Sequence, residues 1–172
     1  LTKPLGTGLV TTAARAGMAD PGDLATAMRW MGTLNREAAE ALHGAEPHAV
    51  TDVTGFGLAG HAAEMAHASG LRLELDLNAL PRLPGAIEAA ATGLVPAGAG
   101  KNRDSVGAVL EVAAGADPFL IDLALDPQTS GGLLAALPAA DARRLQRRLP
   151  SSAIVGRATA GTPGAVALKV TL

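Results

Sequence analysis

The sequence of 172 residues contains no cysteine and no tyrosine, and aromatic residues make up only 2% of it. Without cysteine, this chain has no disulfide framework, no thiolate metal site and no cysteine nucleophile. Two Phe and one Trp are too few to form a platform on which single-stranded bases stack. No apolar run approaches the roughly 18 residues that span a bilayer. The composition therefore favours neither a disulfide-rich nor a membrane-spanning protein.

Charge of either sign is not in excess, because 14 basic residues face 16 acidic ones for a net charge of -2. A surface that binds duplex nucleic acid needs many Lys or Arg side chains, so we expect no nucleic-acid partner and no membrane partner. The length fits one domain over residues 1–172, with 48% hydrophobic residues to build its core. The chain begins at Leu1 without a secretion signal, which favours a piece of a longer cytoplasmic protein.

Periodicity and capping signals predict helices and strands that alternate without strict order. Asp20 and Pro21 predict the start of a helix that continues to Gly44. Further helices are predicted over 57–69, 85–91 and 139–149, and strands over 5–12, 49–53, 71–77, 132–137, 153–158 and 166–172. Residues 93–105 are predicted to form a flexible loop, and the apolar segment 119–125 fits either type of element. Because the last two strands are expected to be antiparallel, the pattern predicts an α+β fold with a mixed sheet packed with helices.

A glycine-rich segment, TDVTGFGLAGH at residues 51–61, places a carboxylate at the junction of a strand and a helix. Thr54 or Gly55 is expected near the helix cap, and Gly55, Gly57 and Gly60 leave the backbone open where the first N–H groups of the helix attract an anion. A carboxylate beside a phosphate needs a cation between them, so Asp52 is predicted to be a magnesium ligand. The alternative is that Asp52 caps the turn and the glycines only allow close packing.

A second segment, DPQTSGG at residues 126–132, has the composition of a turn. Its hydroxyl groups and bare backbone, at Thr129, Ser130 and Gly131, are candidates for an anion-binding nest. A purely structural turn is the competing interpretation.

The segment GAGKNR at residues 98–103 resembles a phosphate-binding loop but lacks two of its parts. Val95 replaces the first glycine of the nucleotide-binding pattern, and Asn102 replaces the hydroxyl residue that holds magnesium. Lys101, Asn102 and Arg103 are candidate phosphate contacts, against the alternative of a solvated basic loop.

Two other groups of polar residues carry less weight. His61, Glu64 and His67 could share one side of a helix, but they do not form the His-Glu-x-x-His pattern of zinc sites. A cluster of arginines is expected to be the solvated face of an amphipathic helix: Arg143, Arg144, Arg147 and Arg148.

Together, residues 51–58 with Gly60 and His61, residues 126–132 and the opening LTKPLGTG resemble the C-terminal half of selenophosphate synthetase (selenide, water dikinase). The second segment is shared more widely with the aminoimidazole ribonucleotide (AIR) synthetase superfamily. The resemblance implies an AIR-synthase-like C-terminal domain and covers essentially the whole chain. LPG at residues 83–85 and KNR at residues 101–103 also resemble the corresponding stretches.

The resemblance implies an enzyme that makes selenophosphate from selenide, ATP and water and releases AMP and orthophosphate. Asp52 matches a magnesium ligand of that family, whereas no role carries over to residues 126–132. The family's Cys or selenocysteine nucleophile, its catalytic Lys, its nucleotide-binding glycines and its other magnesium ligands lie in an N-terminal half that this sequence does not contain. The resemblance thus implies that the piece alone is inactive, that it works with its own N-terminal domain, and that the full-length protein is a homodimer.

Two alternatives stay open from the sequence. One is another enzyme of the same superfamily, such as the purine-pathway cyclo-ligase or a hydrogenase-maturation protein, although DVTGFG at residues 52–57 favours the selenium enzyme. The other is a non-catalytic binding module that kept the fold and lost the active half.

Overall fold

Eight α-helices and two separate β-sheets make up residues 1–170, the part of the chain that this computed structural model describes. The helices are α1 Thr7–Arg15, α2 Pro21–Gly32, α3 Arg36–His43, α4 Gly57–Ser69, α5 Ala86–Ala91, α6 Ala97–Val106, α7 Pro118–Leu125 and α8 Ala139–Arg148. The strands are β1 Ala49–Asp52, β2 Arg72–Asp76, β3 Leu110–Val112, β4 Leu133–Ala136, β5 Gly156–Thr159 and β6 Val166–Lys169, and a 3₁₀ turn covers Leu77–Ala79. The predicted α+β fold with a mixed sheet is confirmed.

The larger sheet has four strands in the order β3-β6-β2-β5. β6 runs parallel to both β2 and β3, whereas β5 runs antiparallel to β2. The last two strands therefore run in opposite directions, but β2 lies between them. Within β2, Leu73 and Leu75 are buried while the residues between them are partly exposed, as the alternating sequence predicts.

The smaller sheet is the antiparallel pair of β1 and β4, in which Asp52 lies opposite Leu133. One side of this pair packs on a small cluster formed by Ala41, Leu42 and Leu145 from α3 and α8. The main core joins α1, α4, α5 and α7 to the larger sheet through Leu, Val and Ala side chains. The sheet of β1 and β4 thus carries Asp52 at its end, with the main core behind it.

Several predicted elements are confirmed because local signals mark their ends. Asp20 caps α2 by accepting a hydrogen bond from the amide of Gly22 at 2.7 Å, with Pro21 in the first turn. Gly70 ends α4 with a φ of 64°, in the left-handed region that favours glycine. The predictions for β1, β2, β4, α5 and α8 also hold. The predicted strand 166–172 is observed over Val166–Lys169, and its residues 171–172 lie outside the described part.

Three predictions of local structure are wrong. Residues 5–12 are not a strand, because Thr7–Arg15 form a helix whose first N–H groups find acceptors elsewhere in the chain. The helix predicted from Asp20 to Gly44 breaks at residues 33–35 into α2 and α3. Residues 93–105 are not a loop throughout, because Ala97–Val106 form α6.

The apolar segment 119–125, for which the sequence favoured neither type, belongs to the helix α7. Asp117 caps this helix by accepting a hydrogen bond from the amide of Phe119 at 2.9 Å, and Pro118 occupies the first position. Within residues 1–170, none of the helices combines the length and the apolar character that crossing a membrane requires.

Candidate functional site

The two glycine-rich segments, which are 70 residues apart in sequence, lie side by side in the fold. The amide of Gln128 donates to the carbonyl of Thr54 at 2.9 Å, and the amide of Val53 donates to the carbonyl of Gly132 at 2.8 Å. Gly131 is buried against the carbonyl of Val53, so a side chain at this position would collide with the backbone. The candidate site is therefore one continuous surface built from residues 51–57 and 126–132.

Asp52 is the last residue of β1, and its side chain is exposed. Its backbone carbonyl accepts a hydrogen bond from the hydroxyl of Thr51 at 3.3 Å. Among the described residues, no hydrogen bond or ion pair of the Asp52 carboxylate is found, and no group of three or more His, Cys, Asp or Glu residues could hold a metal ion. The Asp52 carboxylate is therefore accessible.

The turn after Asp52 is closed by the amide of Gly57, which donates to the carbonyl of Thr54 at 3.0 Å. Gly57 has a φ of 69° and is buried against the carbonyl group of Leu125, 2.8 Å from where a Cβ would lie. A side chain at position 57 would be both strained and in collision with α7. Gly55, in contrast, is exposed with open space around it, so the backbone is approachable at Gly55 rather than at Gly57.

Thr54 begins a chain of three side chains that the sequence analysis did not identify. Its hydroxyl lies 3.2 Å from Nε2 of His61, and Nδ1 of the same ring lies 3.0 Å from a carboxylate oxygen of Glu64. His61 is buried, Thr54 is partly exposed, and the Phe56 ring lies 5.4 Å from the imidazole. The i, i+3 spacing of His61 and Glu64 signalled that they share a helix side, but only the fold brings Thr54 to them.

The second segment, residues 126–132, holds the start of α1 by hydrogen bonds. Oε1 of Gln128 accepts hydrogen bonds from the amides of Gly6 and Thr7 at 3.2 and 3.3 Å and from the Thr7 hydroxyl at 3.2 Å. The Thr7 hydroxyl in turn accepts a hydrogen bond from the amide of Thr129 at 2.9 Å. The first N–H groups of α1 are thus satisfied by the protein's own side chains.

Asp126 also forms hydrogen bonds at the start of α1. One oxygen of its carboxylate accepts hydrogen bonds from the amide of Gly8 at 3.0 Å and from Nε2 of Gln128 at 2.8 Å. Its side chain is fully buried. Burial raises the pKa of Asp126 from the usual 3.8 to about 7, against the opposing hydrogen bonds from Gln128, Leu9 and Gly8.

Ser130 and Gly131 supply carbonyl groups to two other side chains. Nζ of Lys3 donates to the carbonyl of Ser130 at 2.8 Å and to the carbonyl of Thr33 at 2.6 Å, at the end of α2. Lys3 is only 4% exposed, and this burial lowers its pKa. Asn35 donates to the carbonyl of Gly131 at 2.9 Å. The side chains of Thr129 and Ser130 remain exposed.

The three basic-loop candidates lie on α6, and their environments differ. Asn102 is buried, and its amide group donates to the carbonyls of Gly55 and Leu125, each at 2.9 Å. Arg103 forms an ion pair with Asp122 at 3.0 Å, whereas Lys101 is exposed. Asn102 therefore joins α6 to the turn after Asp52. Of the two cations, Arg103 is held by its ion pair and Lys101 extends into solvent.

The remaining polar candidates are exposed side chains outside the candidate site. His67 is exposed and lies outside the contacts of His61 and Glu64, and the zinc alternative finds no support among residues 1–170. The arginines of α8 are exposed, as expected for a solvated face: Arg143, Arg144, Arg147 and Arg148.

Comparison with known proteins gives a consistent result. Residues 1–169 match the family described as AIR synthase related protein, C-terminal domain. The chain is 53% identical over 137 residues to the selenide, water dikinase of Geobacter metallireducens, covering 80% of this chain and 40% of that protein. It is 41% identical over 162 residues to selenide, water dikinase 2 of Peptoclostridium acidaminophilum, covering 91% and 46%. The chain thus spans less than half the length of these relatives.

Solved structures show the same fold at low identity. The hydrogenase maturation protein HypE in complex with ATP is 20% identical with a TM-score of 0.64, covering 96% of this chain and 44% of that one. Thiamine monophosphate kinase from Aquifex aeolicus is 16% identical with a TM-score of 0.60, covering 97% and 48%. These likenesses confirm the AIR-synthase-like fold.

Proposed function

This chain belongs to the family of AIR synthase related proteins, C-terminal domain, and from its similarity to selenide, water dikinases we infer that it is the C-terminal domain of such an enzyme. The full-length enzyme would make selenophosphate from selenide, ATP and water and release AMP and orthophosphate. The N-terminal domain would bind most of the nucleotide and supply the nucleophile, and the whole would act as a homodimer in the cytoplasm. The chain's own contribution is the surface around Asp52.

The observation that supports this proposal most directly is the exposed carboxylate of Asp52. It lies at the end of β1, beside the open backbone of Gly55 and free of hydrogen bonds to other described residues. A hard oxygen ligand of this kind suits magnesium, which binds one or two carboxylates and fills its remaining positions with water and phosphate oxygens. Bound there, magnesium would neutralise charge on the ATP phosphates. Asp52 would hold the ion, and the N-terminal domain would provide the other protein ligands.

Exposed groups on residues 51–57, on residues 126–132 and on the adjoining α6 are candidates for contact with phosphate. Gly55 offers its backbone, Lys101 an exposed ammonium, and Thr129 and Ser130 their hydroxyl groups. Because Asn102 donates to the carbonyl of Gly55, α6 holds this part of the turn in place. The other four candidates form part of the surface but have no free side chain that could contact a ligand: Gly57, Asn102, Arg103 and Gly131.

Substituting Asp52 tests this proposal in the full-length enzyme. We expect Asp52→Asn to lower selenide-dependent AMP release about 100-fold, because a preorganised electrostatic contact to the phosphates is lost. Binding of Mn²⁺, followed by electron paramagnetic resonance, should weaken in parallel. The melting temperature should not change, since the side chain is exposed.

Asp104→Asn is the matched control, because Asp104 is an exposed aspartate on α6 outside the site. Activity and Mn²⁺ binding that are equal in the two variants would show that Asp52 is only a turn residue. Wild-type enzyme that releases AMP without selenide would instead point to a different substrate.

A further inference from the structure

Thr54, His61 and Glu64 form a line of hydrogen-bonding groups that starts at the candidate site and ends in solvent. The hydroxyl of Thr54 is 3.2 Å from Nε2 of His61, and Nδ1 is 3.0 Å from Glu64. The imidazole between them is buried, whereas the Glu64 side chain is 60% exposed. Glu64 also lines a cavity of about 320 Å³ together with Phe56 and Asn102.

The chemistry of the three groups fixes where their protons lie. A carboxylate has no proton to donate, so Nδ1 of His61 must carry the hydrogen in its contact with Glu64. In the neutral ring Nε2 is then an acceptor, and the Thr54 hydroxyl donates to it. The lone pairs of the Thr54 oxygen consequently point away from His61 and are free to accept a hydrogen bond.

This order of groups matches the arrangement by which a hydroxyl is activated in nucleophilic and general-base catalysis. There, a hydroxyl lies within hydrogen-bond reach of an imidazole, and a third group orients that imidazole by accepting from its other nitrogen. Thr54 lies two residues after Asp52 and is partly exposed, on the same turn as the proposed magnesium ligand. Both ring nitrogens of the buried His61 have a partner, so the imidazole is held in one orientation between Thr54 and Glu64.

We propose that Thr54 accepts the proton of the water molecule that the reaction consumes, and that His61 and Glu64 act through Thr54 as positioning residues. The inference rests on the proposed function, whose products require one ATP to lose two phosphoryl groups, and it assigns the first to selenide and the second to water. The relay serves the second transfer, from ADP to water.

The proposed step balances as follows. The water oxygen forms a bond to the β-phosphorus of ADP, and the bond between that phosphorus and the bridging oxygen breaks. The bridging oxygen keeps the electron pair and leaves as AMP, and the transferred group leaves as orthophosphate. One water proton passes to the Thr54 oxygen while the Thr54 proton passes to Nε2 of His61. Glu64 stabilises the resulting imidazolium. The Nε2 proton then returns through the Thr54 hydroxyl to the departing orthophosphate, which restores the neutral ring with its hydrogen on Nδ1.

Product partition in the full-length enzyme tests the relay. In Thr54→Val and His61→Gln we expect AMP formation to fall about 100-fold or more, as for loss of general-base catalysis. Selenide-dependent ADP formation should stay within a few-fold of wild type, so ADP accumulates where wild type releases AMP. Thr54→Ser keeps the hydroxyl and should restore most AMP formation.

His67→Gln is the matched control, because His67 is an exposed histidine on the same helix outside the relay. AMP and ADP formation that fall together in Thr54→Val and His61→Gln would overturn the relay and show a merely structural role. AMP formation equal to that of His67→Gln would overturn it as well. If Thr54→Val does not fold, His61→Gln carries the test alone. A wild-type enzyme without selenide-dependent AMP release would refute the proposed function, and this inference with it.

Discussion

Each of the two motifs begins with an aspartate, and the fold gives the two side chains opposite environments. Asp52 ends a strand at the surface, where its carboxylate is in water. Asp126 lies behind the second segment, fully buried and bonded to the start of α1. Burial destabilises a charged carboxylate, which is why the pKa of Asp126 rises to about 7. One aspartate is available to a ligand, and the other belongs to the scaffold.

The raised pKa of Asp126 predicts how the stability of the folded protein depends on pH. Between pH 4 and pH 7 the folded protein holds the Asp126 proton and the unfolded chain does not, so stability from this group falls as pH rises. At about 1.4 kcal/mol per pKa unit, the loss is on the order of 3 kcal/mol across that range. Asp126→Asn removes the titration, so we expect this variant to gain stability relative to wild type from pH 4.5 to pH 7.5.

Urea unfolding of the chain at these two pH values measures the difference. Asp104→Asn is the control, because that aspartate is exposed. A free-energy difference between Asp126→Asn and wild type that is the same at both pH values would contradict the assigned burial.

The sequence predicted which residue types stand at the site better than it predicted their roles. The strand-to-turn junction at Asp52 is a local pattern, so its position is confirmed. The roles of Asp126 and Gln128 depend on α1, which lies about 120 residues earlier in the chain and which the sequence pattern predicted to be a strand. The relay from Thr54 to His61 and Glu64 likewise depends on a turn whose path local signals do not determine.

At the scale of elements, the two helices that the sequence missed, α1 and α6, are held by distant contacts. α2 has Asp20 and Pro21 at its start. In contrast, α1 contains β-branched residues and α6 contains two glycines, both unfavourable to helix in isolation. Gln128 satisfies the first amides of α1, and buried Asn102 fastens α6 to its neighbours. Where the local helix propensity is weak, tertiary hydrogen bonds therefore determine whether the segment is helical.

Asn102 gives an element-scale prediction. Its amide donates to the carbonyl of Gly55 and to that of Leu125, so one side chain joins α6, the site turn and the end of α7. Asn102→Ala should destabilise the chain by about 2 kcal/mol, because the buried carbonyl of Leu125 loses its donor and pays the cost of desolvation. Thermal and urea unfolding measure this loss.

Ser105→Ala serves as the comparison, since Ser105 is exposed on the same helix and should change stability by no more than about 0.5 kcal/mol. Equal stabilities of the two variants would mean that Asn102 does not hold α6. In the full-length enzyme, Asn102→Ala should also weaken activity by loosening the turn that presents Gly55.

For the molecule as a whole, the packing and the chemistry are separable. The main core joins helices α1, α4, α5 and α7 to the four-stranded sheet within this one chain, so we expect the chain to fold without another domain. The site differs, because residues 1–170 contain no group of three or more acidic or histidine side chains able to hold a metal ion. Phosphoryl transfer depends on positioned charge around the phosphates, which one carboxylate does not supply.

We therefore expect the 172-residue chain to unfold in one cooperative thermal transition and yet to release no AMP from ATP. The assay compares the chain with the full-length enzyme at the same magnesium and selenide concentrations, with circular dichroism confirming that both are folded. Magnesium-dependent AMP release from the chain alone would mean that its own residues complete the site. If the chain is folded but inactive while the full-length enzyme is active, the other metal ligands and the nucleophile must lie outside these 172 residues, because one carboxylate does not supply the charge that the phosphates need.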